Sequence, residues 1–195
     1  MGKRVCPWWL GYLLANPLRR LYQNPAELLT PYVKEGMRVL EPGPGMGFFT
    51  LELARLVGLG GQVVAVDIQP KMIAGLKRRV ARAGFAARVQ ARLASPLSLH
   101  IDDLAGAVDF ALVFALVHEL PEMDAFFGEM AGALKPGALL LLAEPTGHVS
   151  SLDFDKELQV AANTGLAVAD RPRIAHSRAV LLTKRPEPSL SQDVT

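Results

Sequence analysis

The chain has 195 residues, half of them apolar and about a fifth charged, which suits one globular domain with a single core and excludes a disordered chain. Its formal net charge of +2 is too small to indicate a nucleic-acid partner. A single cysteine, Cys6, excludes an intrachain disulfide and a thiolate metal cluster, so we expect a reducing, cytoplasmic setting and no metal site.

Residues 1–35 are predicted to form a helical extension or lid. Lys3 and Arg4 precede an apolar run with the composition of a signal peptide, but Pro7 interrupts this run, and it is too short to span a bilayer. We therefore expect no membrane association. The aromatic residues of this segment are expected to pack on the domain or over its ligand cleft.

Strands and helices alternate over residues 36–185, which we assign to one core domain. Short apolar runs predict strands over 38–40, 62–66, 87–93, 107–114 and 138–143. Helical spacing of apolar residues predicts helices over 48–57, 70–83 and 150–165, and one more that Asp124 caps. The helix over 70–83 carries a basic cluster on a face that we expect to be solvated, formed by Lys77, Arg78, Arg79 and Arg82.

Two final strands, over 168–174 and 179–184, are predicted to pair in antiparallel fashion through a turn near His176. A Lys-Pro-Gly turn at 135–137 is predicted to precede the fifth strand. The pattern predicts an α/β fold, a doubly wound sheet of seven mostly parallel strands that ends in an antiparallel hairpin. The tail, residues 186–195, is rich in Pro and Ser, and we expect it to be disordered.

Glycine recurs at every second position after the first strand, at Gly43, Gly45 and Gly47, and Glu41 precedes this loop. Glycine adopts positive φ without strain and lets the backbone approach a ligand closely. In an open α/β sheet, ligands bind outside the carboxyl ends of the strands. Asp67 ends the next strand, about 20 residues later, where a carboxylate accepts hydrogen bonds from ribose hydroxyls. The sequence therefore predicts a nucleotide-like ligand at this edge.

The loop differs from other nucleotide-binding loops. A dinucleotide fingerprint needs a third glycine where Phe48 stands, and no Gly-Lys-Ser/Thr phosphate loop is present. Glu41 and the alternating glycines instead resemble motif I of the class I S-adenosylmethionine-dependent methyltransferases. Segments 63–73, 109–121 and 134–145 resemble later segments of that family in the same order, and the terminal hairpin is similar to its reversed seventh strand. The resemblance covers residues 36–184.

The resemblance implies S-adenosylmethionine as the cofactor and S-adenosylhomocysteine as its product. It implies that the loop wraps the methionine end of the cofactor, that Asp67 binds the ribose and that Ile68 lies beside the adenine. The cofactor-binding residues it implies are Glu41, Gly43, Pro44, Gly45, Gly47, Asp67, Ile68, Ser95 and Phe114. Many relatives have an acid after strand three that binds the adenine amino group, and here Leu93 stands at that position. Either the backbone and Ser95 hold this group, or the register differs by a residue or two.

At the ligand-binding edge, Glu119 lies beside His118 at the mouth of the cleft. His118 and His148 follow the fourth and fifth strands there. We identify them as candidate catalytic residues that orient the acceptor or take its proton, although a histidine there could equally cap a strand end. Glu144 is either an acceptor contact or a structural support. Methyl transfer depends mainly on positioning, so an acceptor that is already ionised needs no strong base.

The resemblance implies a methyltransferase with a small-molecule acceptor that the N-terminal segment encloses. The Asn/Asp-Pro-Pro-aromatic motif of relatives that methylate nucleobases or glutamine is absent after the fourth strand, so a nucleic-acid acceptor is not expected. Two alternatives stay open: an NAD-dependent oxidoreductase on a similar sheet, and a cofactor-binding protein without turnover, such as a sensor or partner subunit. The oligomeric state is open, and a homodimer is compatible with the sequence.

Overall fold

The computed structural model of the chain describes residues 23–185. Most of the predicted lid and the whole predicted tail therefore lie outside the described residues. At the start of the described part, α1 (Pro25–Leu29) is a short helix that Asn24 caps, because the Asn24 side chain accepts the Ala26 N–H. Of the described helices, none is long and apolar enough to cross a membrane.

Seven strands and four further helices follow α1, mostly in alternation. The strands are β1 (Arg38–Pro42), β2 (Gln62–Asp67), β3 (Val89–Leu93), β4 (Val108–Phe114), β5 (Leu134–Pro145), β6 (Leu166–Asp170) and β7 (Ser177–Lys184). The helices are α2 (Thr50–Leu56), α3 (Pro70–Arg82), α4 (Met123–Ala133) and α5 (Ser151–Asn163). Short 3₁₀ turns lie at Asp102–Leu104 and Val117–Glu119.

The strands form one sheet in the order β3-β2-β1-β4-β5-β7-β6. Strands β1 to β5 pair in parallel, and β7 lies antiparallel between β5 and β6. The predicted fold is confirmed, including the antiparallel hairpin. The strand order reverses between β1 and β4, and ligands of open α/β sheets bind at such a switch point.

Helices cover both faces of the sheet. Successive side chains of a buried strand point to opposite faces and pack against the helices on each side. Val39 of β1 packs in a cluster with Leu29 of α1 and Leu53 of α2. Its neighbour Leu40 packs in a second cluster with Phe127 of α4 and Phe154 of α5. A continuous apolar run in a strand is therefore explained by burial on both faces.

Two predicted details are wrong. Asp124 does not cap α4, because the helix begins at Met123 and Glu122 occupies the N-cap without a side-chain hydrogen bond. Asp124 lies in the first turn, where a negative charge is still favoured by the helix dipole. The predicted turn at 135–137 belongs to a longer β5 that bulges, since Val108 pairs with Leu134 while Phe110 pairs with Leu139.

Candidate active site

A cavity of about 410 Å³ opens at the carboxyl ends of the parallel strands, at the switch point between β1 and β4. Its volume is in the range of small-molecule sites. Most of the predicted cofactor-binding residues line it: Glu41, Gly43, Pro44, Gly45, Asp67, Ile68, Ser95 and Phe114. Gly47, His118 and His148 are outside this lining.

The glycine loop follows β1. Its φ angles are positive at Gly43, Gly45 and Gly47 (+67°, +53° and +82°), a conformation that is strained for residues with a side chain. The Gly43 N–H donates to the Val66 carbonyl at 2.8 Å, which ties the loop to β2. A Cβ at Gly45 would meet no heavy atom within 4 Å, so the backbone here faces open space. This part of the loop can approach a ligand closely.

Gly47 serves packing instead of lining the cavity. A Cβ at this position would lie 2.5 Å from Cδ1 of Leu76, so the missing side chain lets α3 pack against the loop. Arg79 of α3 also donates to the Met46 carbonyl at 2.6 Å. The prediction of a solvated face is therefore wrong for Arg79, while Lys77, Arg78 and Arg82 are exposed.

Glu41 lies in β1 and is 3% exposed. Its carboxylate accepts a hydrogen bond from the Thr50 hydroxyl at 2.6 Å. Burial raises the pKa of Glu41 to about 7, although the Thr50 hydrogen bond lowers it. Glu41 lines the cavity, and a ligand ammonium close to its carboxyl group would favour the ionised form.

Asp67 ends β2 and is 8% exposed. It accepts the Gln69 N–H at 2.8 Å. Burial raises the pKa of Asp67 to about 6, although hydrogen bonds from the backbone N–H groups of Gln69, Gly45 and Ile68 lower it. The side chain is thus mainly ionised at pH 7 and can accept hydrogen bonds from ligand hydroxyls. Ile68 beside it is 38% exposed and offers an apolar surface.

The loop after β3 forms the far side of the cavity. Ser95 lines it, and its hydroxyl accepts the Ser98 N–H at 3.1 Å. Leu93 is 52% exposed and outside the lining, so the first side chains of this loop to reach the cavity are Ala94 and Ser95. No acid stands among Leu93, Ala94 and Ser95, and which groups hold an adenine amino group stays a prediction.

Sequence reasoning missed part of the lining. Phe48 and Phe49 lie on one side with their rings 4.9 Å apart, and Phe49 lies 4.7 Å from Phe114. Two carboxylates, Glu122 and Glu129, line another part, together with Glu119, which the sequence already places beside His118. Glu129 belongs to α4, and its position depends on how that helix packs.

His118 and His148 are brought together beside the cavity, with ring centroids 5.7 Å apart. Nδ1 of His118 contacts Oε2 of Glu144, a fully buried residue of β5. This hydrogen bond raises the pKa of His118 above its ordinary value, although burial lowers it. Among residues 23–185 there is no cluster of three or more His, Cys, Asp or Glu side chains that could hold a metal ion.

Comparison with known proteins identifies the family. The family described as "Methyltransferase domain" matches residues 33–177. The chain belongs to the class I S-adenosylmethionine-dependent methyltransferases. S-adenosylmethionine is the cofactor of this methyltransferase family. The predicted resemblance is thereby confirmed.

Relatives of this chain are named for different activities. The chain is 28% identical over 155 residues to protein-L-isoaspartate O-methyltransferase 1 of Arabidopsis thaliana. This match covers 73% of this chain and 60% of that protein. The chain is also 33% identical over 120 residues to the ubiquinone/menaquinone biosynthesis C-methyltransferase UbiE of Teredinibacter turnerae. That match covers 62% of this chain and 47% of that protein. The chain thus spans about half to three fifths of these two relatives.

Solved structures show the same fold. A SAM-dependent methyltransferase from Aquifex aeolicus superposes with a TM-score of 0.83 at 24% identity, and the match covers 92% of this chain and 100% of that one. A methyltransferase structure from Methanococcus maripaludis superposes with a TM-score of 0.77 at 12% identity, covering 97% and 100%.

The cavity of this methyltransferase fits the family cofactor chemically. The loop at Gly45 leaves room for a ligand, the Asp67 carboxylate can accept from ribose hydroxyls, and Glu41 can accept from an ammonium. The rest of the lining is largely apolar, as an adenine ring and a methionine chain require.

Proposed function

We propose that this protein transfers a methyl group from S-adenosylmethionine to a small-molecule acceptor. The observation that carries the proposal is the combination, in one cavity, of the open loop at Gly45 and the carboxylates of Glu41 and Asp67. The bound cofactor supplies a methyl group on a sulfonium sulfur, which makes the methyl carbon electrophilic.

The residues of the cavity have distinct proposed roles. Gly43, Pro44 and Gly45 hold the methionine part, with Glu41 near its ammonium. Asp67 accepts hydrogen bonds from the ribose, and Ile68 and Ser95 contact the adenine. Phe114 closes the cavity at the end of β4, and Gly47 acts by letting the loop pack on α3.

A small acceptor is supported by the character of the cavity. The lining combines a few carboxylates with aromatic and aliphatic side chains, including the rings of Phe48, Phe49 and Phe114. Such a site can exclude water and align the acceptor atom with the methyl carbon, which is the main requirement for this displacement. We also propose that residues 1–22 act as a lid over it, since residues 23–35 do not line the cavity.

The test is a transfer assay with a radiolabelled methyl donor. The acceptors are a panel of small phenols, quinols, amines and thiols, together with a peptide that contains isoaspartate. We expect label in at least one small molecule and a strong loss of transfer in Asp67→Asn. Label in the peptide alone would contradict a small acceptor, and tight cofactor binding without transfer to any of them would favour a binding protein without turnover.

A further inference from the structure

Glu144 does not itself line the cofactor cavity, but it organises a group of atoms beside it. It is fully buried at the carboxyl end of β5. Its Oε1 accepts the backbone N–H groups of Leu116 at 3.0 Å and Val117 at 2.7 Å. Its Oε2 contacts Nδ1 of His118. One carboxylate therefore fixes both the loop after β4 and the imidazole that this loop carries.

The contacts of Glu144 determine which nitrogen of His118 carries the hydrogen. A carboxylate has no hydrogen to donate, so Nδ1 of His118 must donate to it. The neutral ring then has its lone pair on Nε2, which is the form that accepts a proton. Oε1 of Glu119 lies 4.0 Å from Nε2 and can stabilise the charged ring.

The group is accessible to solvent and lies beside the cavity. The side chain of His118 is 22% exposed, and the exposed His148 lies next to it with an angle of 31° between the rings. Glu119 links the two regions, because it lines the cavity and directly follows His118. The other charged groups near His118 are Glu144 and Glu157. The imidazole thus belongs to the loop after β4, in which Leu116 and Glu119 line the cofactor cavity.

We propose that this group is the acceptor subsite, and that it takes a neutral acceptor with an ionisable hydroxyl, such as a phenol or an enol. This inference rests on the proposed function and adds the class of acceptor to it. His118 is the base, Glu144 is a positioning residue, and His148 forms the outer wall against which the acceptor packs. A base held in one tautomer is needed for a hydroxyl and not for an acceptor that is already ionised.

The acceptor loses its proton as it is methylated. The acceptor O–H bond breaks, and its proton moves to Nε2 of His118. The acceptor oxygen forms a bond to the methyl carbon while the carbon–sulfur bond breaks, and that electron pair stays on sulfur. The products are a methyl ether, S-adenosylhomocysteine and a charged imidazole, which the carboxylates of Glu144 and Glu119 stabilise before the proton passes to water.

The positioning role is tested by nitrogen-15 NMR of the histidine rings in the full chain saturated with S-adenosylhomocysteine. We expect hydrogen on Nδ1 of neutral His118. In Glu144→Gln the introduced amide oxygen can keep the two backbone N–H groups while its NH₂ faces Nδ1, so the hydrogen should move to Nε2. Hydrogen on Nε2 in the unchanged protein, or the same tautomer in both proteins, would overturn the role of Glu144.

The acceptor class is tested by transfer of labelled methyl to a phenol panel and to matched anilines and thiophenols. We expect transfer to phenols, reduced about 100-fold in kcat for His118→Ala and with little change in the KM for the cofactor. Glu144→Gln should also lower kcat and change the pH profile. His100→Asn is the control, because it removes an exposed histidine elsewhere and asparagine tolerates the positive φ of 53° at this position.

The outcomes separate this inference from the proposed function. Binding of S-adenosylhomocysteine with transfer to amines or thiols but to no phenol would overturn the acceptor class and leave the methyltransferase standing. Phenol transfer that His118→Ala leaves unchanged would overturn the base. Failure to bind S-adenosylhomocysteine would instead refute the proposed function itself.

Discussion

Asp67 and Glu41 are buried carboxyl groups whose charge is costly in the ligand-free protein and useful when a ligand is bound. Their pKa values, about 6 and about 7, are raised mainly by burial. A ligand that offers hydroxyls to Asp67 and an ammonium to Glu41 relieves part of this cost. The pH dependence of binding and of stability can therefore be assigned to these two residues separately.

Asp67→Asn should weaken binding of S-adenosylhomocysteine about 10- to 100-fold at pH 7.5, because hydrogen bonds to a charged acceptor contribute about 1.5–3 kcal/mol. In the unchanged protein, affinity should also fall as the pH drops below about 6, where Asp67 takes up its proton. The variant should lack this fall. Calorimetric titration at pH 5, 6 and 7.5 measures both effects, and equal affinity of the two proteins would refute the ribose assignment.

Glu41→Gln should make the ligand-free protein more stable at pH 8 and leave it nearly unchanged at pH 4. The pKa of Glu41 rises from 4.5 to about 7 on folding, so the folded state holds this proton more tightly. The free energy of unfolding should therefore fall by about 3 kcal/mol as the pH rises through this window, and the variant should lack this loss.

Urea unfolding across the pH range measures the effect of Glu41. Glu35→Gln is the matched control, since it removes the charge of an exposed glutamate just before β1. A pH dependence shared equally by the unchanged protein and both variants would show that Glu41 is not the group responsible.

At the scale of elements, the loop after β1 and helix α3 form one unit. Leu76 occupies the space that a side chain at Gly47 would need, and Arg79 binds the Met46 carbonyl. The sequence predicted these glycines as a ligand cradle, and the structure distinguishes their roles. Gly45 faces open space, while Gly47 makes room for α3. Such a difference depends on packing between elements, which the spacing of glycines does not reveal.

Gly47→Ala should destabilise the protein by about 2–4 kcal/mol, from a strained positive φ together with displacement of Leu76. Gly84→Ala is the matched control, because Gly84 has a similar φ of +75° and no heavy atom within 4 Å of an added Cβ. It should cost only about 1–2 kcal/mol, the backbone term alone. Equal losses in denaturant unfolding would contradict the packing role of Gly47.

At the scale of the whole molecule, the mostly parallel sheet with its terminal hairpin and the position of the cavity were predictable from the sequence. Buried parallel strands leave continuous apolar runs, and Glu41 and Asp67 stand at their ends. The hydrogen bonds of Glu144 were not predictable, because its partners lie 26 to 28 positions away in sequence and meet it only when β4 and β5 pair. The sequence left its role open between acceptor contact and support, and the structure shows support of the loop after β4.

The proposed lid should act on the acceptor and not on the cofactor. All cavity-lining residues of the described part lie between Glu41 and Glu129. A chain that lacks residues 1–22 should therefore bind S-adenosylhomocysteine with nearly the same affinity, while transfer to the acceptor falls because the active site is less enclosed. Loss of cofactor affinity with an intact fold, measured by calorimetry and circular dichroism, would contradict a role limited to the acceptor.

The most direct test of the central claim is thermal unfolding of the full chain with S-adenosylmethionine, S-adenosylhomocysteine and NAD in turn. A ligand at about 100 times its dissociation constant adds about 2.7 kcal/mol to the free energy of unfolding. We expect stabilisation by both sulfur ligands, a much smaller effect of S-adenosylhomocysteine on Asp67→Asn at the same concentration, and none by NAD. Stabilisation by NAD, with no response to either sulfur ligand, would contradict a cofactor site for S-adenosylmethionine at this glycine loop.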